Sequence, residues 1–241
     1  MIRLFVNQPL NLDTVIDLDA DLTHRLNKVM RARVGDEIVL FNDQGSECTV
    51  ELIALSKKHA QVKILSSEQV NRESPLAIHL IQGISRGNRM DYTIQKAVEL
   101  GVAGIIPVAT KRSMVKLTNE RKDNRHDHWQ GVIQHACEQS GRTSMPHLAP
   151  AGKLEDIAAL PNIKESYFLD TQSATPLTVD DKPHDAAYLI AGPEGGFSDE
   201  ERTWICALGG KPVKLGPRIL RTETAALAAL SIMQHLWGDL S

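Results

Sequence analysis

Cysteine is scarce in this chain. There are three in 241 residues, Cys48, Cys137 and Cys206, far apart and with no CxxC. That spacing excludes a disulfide scaffold and a cysteine zinc site, and it fits the cytosol. No apolar stretch is long enough to span a bilayer; the apolar C-terminal AALAALSIMQHLWG is broken by Ser231, Gln234 and His235. The N-terminal MIRLFVNQPL has too short an apolar run for a signal peptide. No HExxH occurs, and the one close histidine pair, His126 and His128, would point to different faces of a helix. No metal site is expected. A GxSxG elbow and a Cys–His signature are missing, so nothing suggests a covalent nucleophile. Positive charge is also short: the net charge of −3 excludes a globally basic nucleic-acid binder.

What is present is ordinary in bulk and uneven in detail. The apolar fraction of 42% with 24% charged residues suits a soluble globular protein. Residues 86–142 carry ten Lys/Arg against six Asp/Glu. A basic stretch inside an acidic chain marks either a local polyanion footprint or a solvated helix face.

The first part reads as a small β-rich unit. Ile2–Val6, Glu37–Phe41, Cys48–Ala54 and Ala60–Leu65 are strand candidates, and Asn42-Asp43-Gln44-Gly45 is hairpin chemistry. Asp21–Arg33 carries a helical stripe of Leu22, Leu26, Val29 and Met30, with Gly35 beyond its end. Ser66–Pro75 reads as a polar linker, which places a domain boundary near residue 72, giving domains 1–72 and 73–241. After Pro75, strands (76–82, 104–108, 166–169, 188–191, 212–215) alternate with helices (88–100, 119–137 and two near the C-terminus). Such alternation predicts an α/β domain with a mainly parallel sheet covered on both faces.

Two glycine-rich segments follow short apolar runs: GPEGGFSDEE from Gly192 and LGPRILRTETA from Leu215. Strand–loop–helix turns of this kind place backbone-rich loops at the carboxyl edge of a sheet, where small ligands bind. Neither loop has the ending of a P-loop or a GxGxxG fingerprint. Gly195-Gly196 allows close backbone approach to a ligand. Ser198 followed by Glu201 is a capping box, and Thr222 is placed to cap the last helix. Arg218 and Arg221 flank Ile219-Leu220 and could fork onto oxyanions. Each loop alone also suits a tight turn without a ligand. Two further clusters stand out. Glu138-Gln139-Ser140-Gly141-Arg142 could read a nucleobase edge, or simply end a polar helix. Arg86, Arg89 and Lys96, with Arg112 after the next strand, could meet phosphates.

Taken together, GISRGNRMDYTIQKAVELGV (83–102), the EQSGR cluster, GPEGGFSDEE and LGPRILRTETAALAAL resemble the SPOUT class of S-adenosylmethionine-dependent RNA methyltransferases. More narrowly they resemble the RsmE family of 16S ribosomal RNA uridine-N3 methyltransferases. The N-terminal HRLNKVMRARVGDEIVLFNDQG also matches, so the resemblance spans nearly the whole chain. Ribose methylators of this fold close the last loop with an SLNVS-type sequence, whereas RILRTET stands here. The resemblance implies a SPOUT-type parallel sheet with a C-terminal trefoil knot, a rare exception to unknotted topology, and an N-terminal PUA-like β-barrel that helps hold RNA. It implies a homodimer with the active site at the interface, and 16S rRNA or the small ribosomal subunit as partner.

Three loops would hold S-adenosylmethionine in such a protein. The first begins at Leu169. The second supplies Gly192, Pro193, Glu194, Gly195 and Gly196. The third supplies Leu215, Gly216, Ile219, Leu220 and Thr222. N3 of uracil is a poor nucleophile while protonated, so a guanidinium must face the developing anion: Arg142, Arg218 or Arg221. Glu138 is an expected proton acceptor. Arg86, Arg89, Lys96 and Arg112 would contact phosphates, and Gln139 and Ser140 would contact RNA. The competing readings are a non-catalytic RNA-binding assembly factor and a SPOUT methyltransferase acting at another RNA position.

Overall fold

The computed structural model describes residues 1–113, 119–172, 175–184 and 186–240. The chain divides into two compact units. One comprises Met1–Glu73 with Cys137–Met145; the other comprises Ser74–Ala136 with Pro146–Ser241.

The first unit is built on β1 (Ile2–Phe5), β2 (Val15–Asp17), α1 (Ala20–His24), β3 (Glu37–Phe41), β4 (Ser46–Leu55) and β5 (Ala60–Gln69). They form one five-stranded sheet in the order β1-β3-β4-β5-β2, with β1 parallel to β3 and the other pairs antiparallel. Leu4, Leu26, Ile38, Leu40, Val50, Leu52, Val62 and Ile64 are fully buried against one another. Each such side chain contributes about 1.5–3 kcal/mol on leaving water. The predicted helix over 21–33 is shorter than its stripe. After α1, capped by Asp19 (Leu22 N–H to Oδ1, 2.8 Å), one π turn runs over Arg25–Val29, and the chain leaves at Arg31 with φ 53°. The segment expected as a linker from Ser66 is strand as far as Gln69, paired with Ser46.

Residues 137–145 are fastened to this unit by ions. Arg3 donates from Nε to Glu47 (2.8 Å), from Nη1 to the Cys137 carbonyl (2.7 Å) and from Nη2 to the Arg142 carbonyl (2.8 Å). Its guanidinium lies 3.9 Å above the Phe41 ring. Cys137 is buried here, and burial raises its thiol from 9.0 to about 12. Cys48 is also buried, whereas Cys206 is exposed. Iodoacetamide at mildly alkaline pH is therefore expected to label the native chain at Cys206 alone, because the thiolate is the reactive form. Peptide mass mapping checks this; labelling of Cys137 at the rate of Cys206 would contradict its burial.

The second unit follows the predicted alternation: β6 (Ala77–Gly83), α2 (Asn88–Glu99), β7 (Gly104–Ala109), α3 (Asn119–Ser140, ending in the first unit), β8 (His147–Leu148), β9 (Gly152–Lys153), β10 (Ser166–Leu169), β11 (Ala186–Ala191), α4 (Asp199–Ala207), β12 (Lys211–Val213) and α5 (Thr222–Trp237). The strands are parallel in the order β12-β10-β11-β6-β7-β8, with β9 also on β7. On one face α2 buries Met90, Ile94, Ala97 and Val98, and α5 buries Ala226, Ala229, Leu230 and Met233. The other face packs Ile81, Phe168, Tyr188 and Ile190 with Ile205 of α4 and with Leu154 and Ile157.

Gly83, the last residue of β6, lies where two segments of backbone nearly touch. A Cβ there would stand 2.5 Å from both N and Cδ of Pro193. Neither can swing aside, so Gly83→Ala is expected to cost about 1–3 kcal/mol of stability. Denaturant unfolding with circular dichroism measures it; an unchanged midpoint would refute the close approach.

Candidate active site

The carboxyl ends of the neighbouring strands β12, β10 and β11 open onto one cavity of about 780 Å³ in the second unit. Its wall comes from 169–172 after β10, 191–197 after β11 and 213–225 after β12 and into α5, with Arg89, Arg112 and Arg202. Parallel strands point their carboxyl ends the same way, which is why three loops distant in sequence meet.

The second loop is held by its own side chains. Ser198 and Glu201 form the predicted box: the Glu201 N–H donates to Ser198 Oγ (3.2 Å) and the Ser198 N–H to Glu201 Oε2 (2.7 Å). The other Glu201 oxygen accepts the Lys111 N–H at 2.7 Å. Gly196 has φ 65°, and a Cβ on Gly195 would sit 2.9 Å from Cβ of Arg112. Backbone therefore forms this part of the wall. Glu194 accepts the Arg86 N–H (3.0 Å) and an Nη of Arg89 (2.8 Å). Burial pushes its carboxyl upward, but the Arg86 N–H and Arg89 outweigh burial and hold it below the usual carboxylate value.

The third loop meets the second through Thr222. Its hydroxyl does not cap α5, as was expected; it donates to the Gly192 carbonyl at 2.5 Å, and α5 starts from Arg221 without a side-chain cap bond. Gln82, fully buried at the end of β6, donates from Nε2 to Thr222 Oγ1 (3.2 Å) and to the Gly83 carbonyl (3.0 Å). Gly216 has φ 71° and open space around it. Leu215 and Leu220 are half-buried, while Arg218, Ile219 and Arg221 are exposed. The first loop is tied down by an ion pair. Asp170, 9% exposed, accepts from Arg202 Nη2 at 2.9 Å and from the Gln172 N–H at 3.0 Å.

The structure thus brings together Leu169, Gly192–Gly196, Leu215, Gly216, Ile219, Leu220, Thr222, Arg218 and Arg221, with Arg89 and Arg112 on the rim. It places the EQSGR cluster elsewhere. Glu138 is gripped by Arg25 (Nη2 to Oε2, 2.5 Å; Nη1 to Oε1, 3.2 Å) and accepts the Phe5 N–H at 3.2 Å. The Glu138 hydrogen bond raises the pKa of Arg25 against the lowering effect of burial. Arg142, 5% exposed, is paired with Glu73. Both belong to the first unit and neither lines the cavity. Gln139 is exposed, and the Ser140 hydroxyl is buried without a partner. Lys96 is paired with Glu99 one helical turn on (2.7 Å), and the Arg86 side chain is exposed. Sequence reading missed Asp170, Arg202, Gln82, Lys214 and Glu223. Asp170 carried a usable signal, as the first residue after an apolar strand at the loop edge.

An α/β sheet with a backbone-walled cleft at three carboxyl ends defines a class, and comparison gives it a name. The family model described as an RNA methyltransferase domain matches residues 72–234, and that of an RNA methyltransferase PUA domain matches 26–65. A relative from Buchnera aphidicola subsp. Schizaphis graminum, named ribosomal RNA small subunit methyltransferase E, is 35% identical over 99% of this chain and 98% of its own. The protein of that name from Bacillus subtilis is 31% identical over 88% of this chain and 86% of its own. The Neisseria gonorrhoeae ribosomal RNA small subunit methyltransferase E, crystallised with S-adenosylmethionine, superposes with a TM-score of 0.92 at 39% identity, covering 100% of both chains. A Legionella pneumophila protein with the same cofactor gives 0.95 at 38% identity, covering 99% of each. The chain belongs to the ribosomal RNA small subunit methyltransferase E family.

Proposed function

We propose that this chain transfers the methyl group of S-adenosylmethionine to N3 of a uridine in 16S ribosomal RNA. The observation that carries the reading is the cavity at the carboxyl ends of β10, β11 and β12, walled by glycine backbone and lined by Arg218 and Arg221, which have no ion-pair partner among the described residues. The residues present fit the methyl donor. The volume suits a drug-sized ligand, Leu169, Leu215 and Leu220 offer apolar surface to a flat base, and Gly192–Gly196 let backbone approach it. When bound, S-adenosylmethionine supplies an electrophilic methyl on a sulfonium. The chain's own task is to hold N3 in line with that methyl and to favour the deprotonated uracil.

Arg218 and Arg221 take the part of the anion-facing guanidinium. Glu138 and Arg142 are committed to ion pairs with Arg25 and Glu73 and are left out of it. Arg86, Arg89 and Arg112 lie near the second loop and suit backbone phosphates; Lys96 offers a fourth cation once released from Glu99, and Gln139 a further polar contact. The finer features of the reading are a trefoil knot at the C-terminal loops, a closed PUA-like barrel, and a cytoplasmic homodimer whose active site lies at its interface. Among the described residues no helix is long and apolar enough to cross a bilayer.

The test is mass mapping of ribosomal RNA from a deletion strain with and without the restored gene, paired with calorimetric titration of the purified chain with S-adenosylmethionine. Loss and return of one methyl at uridine N3 is the expected result. An unchanged methylation map would sink the assignment.

A further inference from the structure

Three carboxylates line the cavity among the described residues, and two of them are committed. Asp170 is held by Arg202, and Glu194 by Arg89 and the Arg86 N–H. The third, Glu223, makes no hydrogen bond and no ion pair, and its Oε2 is shut off from solvent without a donor. A desolvated acceptor without a partner is costly. Its place explains why the cost is tolerable: Glu223 lies in the first turn of α5, where the helix N-terminus favours a negative charge. The group thus has free acceptor capacity, next to Thr222 and two residues beyond Arg221. What it lacks is an N–H donor, and the uracil of the proposed substrate carries one at N3.

We infer that Glu223 is a catalytic residue, the acceptor of the uridine N3 proton. This rests on the proposed methyl transfer. The N3–H bond breaks, its proton moves to a Glu223 carboxylate oxygen and its electron pair stays on N3. That pair forms the new N–CH3 bond while the S–CH3 pair leaves with sulfur, and the proton on Glu223 passes to water after the product departs. Arg218 and Arg221, on the preceding residues of the same loop, bear on the uracil oxygens where the anion's charge resides. Base and charge stabiliser therefore come from one segment, 218–223, which fixes their spacing without help from another element.

The experiment compares the wild-type chain with Glu223→Gln and Glu223→Asp on small-subunit particles carrying unmethylated 16S rRNA, across pH, with S-adenosylmethionine titrated calorimetrically into each. The titration also checks that each variant is folded. Glu223→Gln is expected to lose about 10²–10⁴-fold in single-turnover rate near neutral pH, with cofactor affinity unchanged. Its rate should climb towards that of the wild type at alkaline pH, where uracil N3 ionises unaided, and Glu223→Asp should recover part of the loss. A Glu223→Gln rate equal to wild type overturns the inference, and so does a loss that follows weakened cofactor binding or persists unchanged at alkaline pH. A wild-type chain that binds cofactor but methylates no uridine overturns the proposed function and this inference with it.

Discussion

Arg221→Ala is expected to slow methyl transfer about 10²–10³-fold, the loss typical of deleting one donor aimed at developing negative charge. Arg221 is the N-cap of α5, and its side chain makes no cap bond. A cation at a helix N-terminus opposes the helix dipole by about 0.3–1 kcal/mol. Arg218 stands just ahead, exposed, on the same loop. Neither has an ion-pair partner among the described residues, whereas Arg89 and Arg202, also on the cavity wall, are both neutralised. An unneutralised pair at this place is stabilised only when an anion joins it, and the deprotonated uracil is that anion. Arg221→Ala should therefore leave stability unchanged or slightly raised while activity falls, the reverse of a structural arginine. Arg218→Ala and the double variant, read by single-turnover methylation, separate the two roles; a double loss smaller than the product of the single losses means they act on one charge. Wild-type rates in all three variants would remove the arginines from the mechanism.

The architecture of the second unit is legible in the sequence because its main strands are short apolar runs, with β6 ending in glycine and Gly-Pro following β11 and β12. Ser166–Leu169 was read at its observed limits, and Asn88–Leu100 differs from α2 by one residue. What stayed hidden has physical causes. β8 and β9 are two residues each, held by pairing with β7 rather than by any pattern of their own. The end of β5 is strand because it pairs with β4, while its residues Leu65 to Gln69 are exposed, so polarity alone reads as linker. The Asp21–Arg33 stripe continues past the helix because Ala32 is still buried in the core after the backbone has turned at Arg31. The cavity's glycines were visible as punctuation, but ion pairs were not. Glu138 and Arg142 are close to Gln139 and Ser140 in sequence, yet their partners, Arg25 and Glu73, lie far away along the chain. An acidic residue in a first helical turn, such as Glu223, is ordinary, and only the missing donor at its oxygen sets it apart.

Asp170→Ala is expected to be among the most destabilising single changes at the site, at about 3 kcal/mol. Asp170 and Arg202 are paired at 2.9 Å with little solvent access, and breaking such a pair from one side costs about 3–5 kcal/mol because the other charge stays behind. The lower end applies, since Arg202 keeps a second carboxylate, Asp199, at 3.4 Å. Arg202 is poorly placed to absorb the loss, because its Nε is already buried without an acceptor. The carboxylate also accepts the Gln172 N–H, so its removal frees the first loop at the strand end where the cofactor wall begins. Asp170→Asn keeps an acceptor for Gln172 but not the charge, and should lose less. Denaturant unfolding gives the stability, and calorimetric titration gives the affinity for S-adenosylmethionine, which should fall in both variants and further in Asp170→Ala. If Asp170→Ala binds the cofactor as tightly as wild type, the loop after β10 is not part of the cofactor wall; if its stability is unchanged, the pair with Arg202 holds nothing in place.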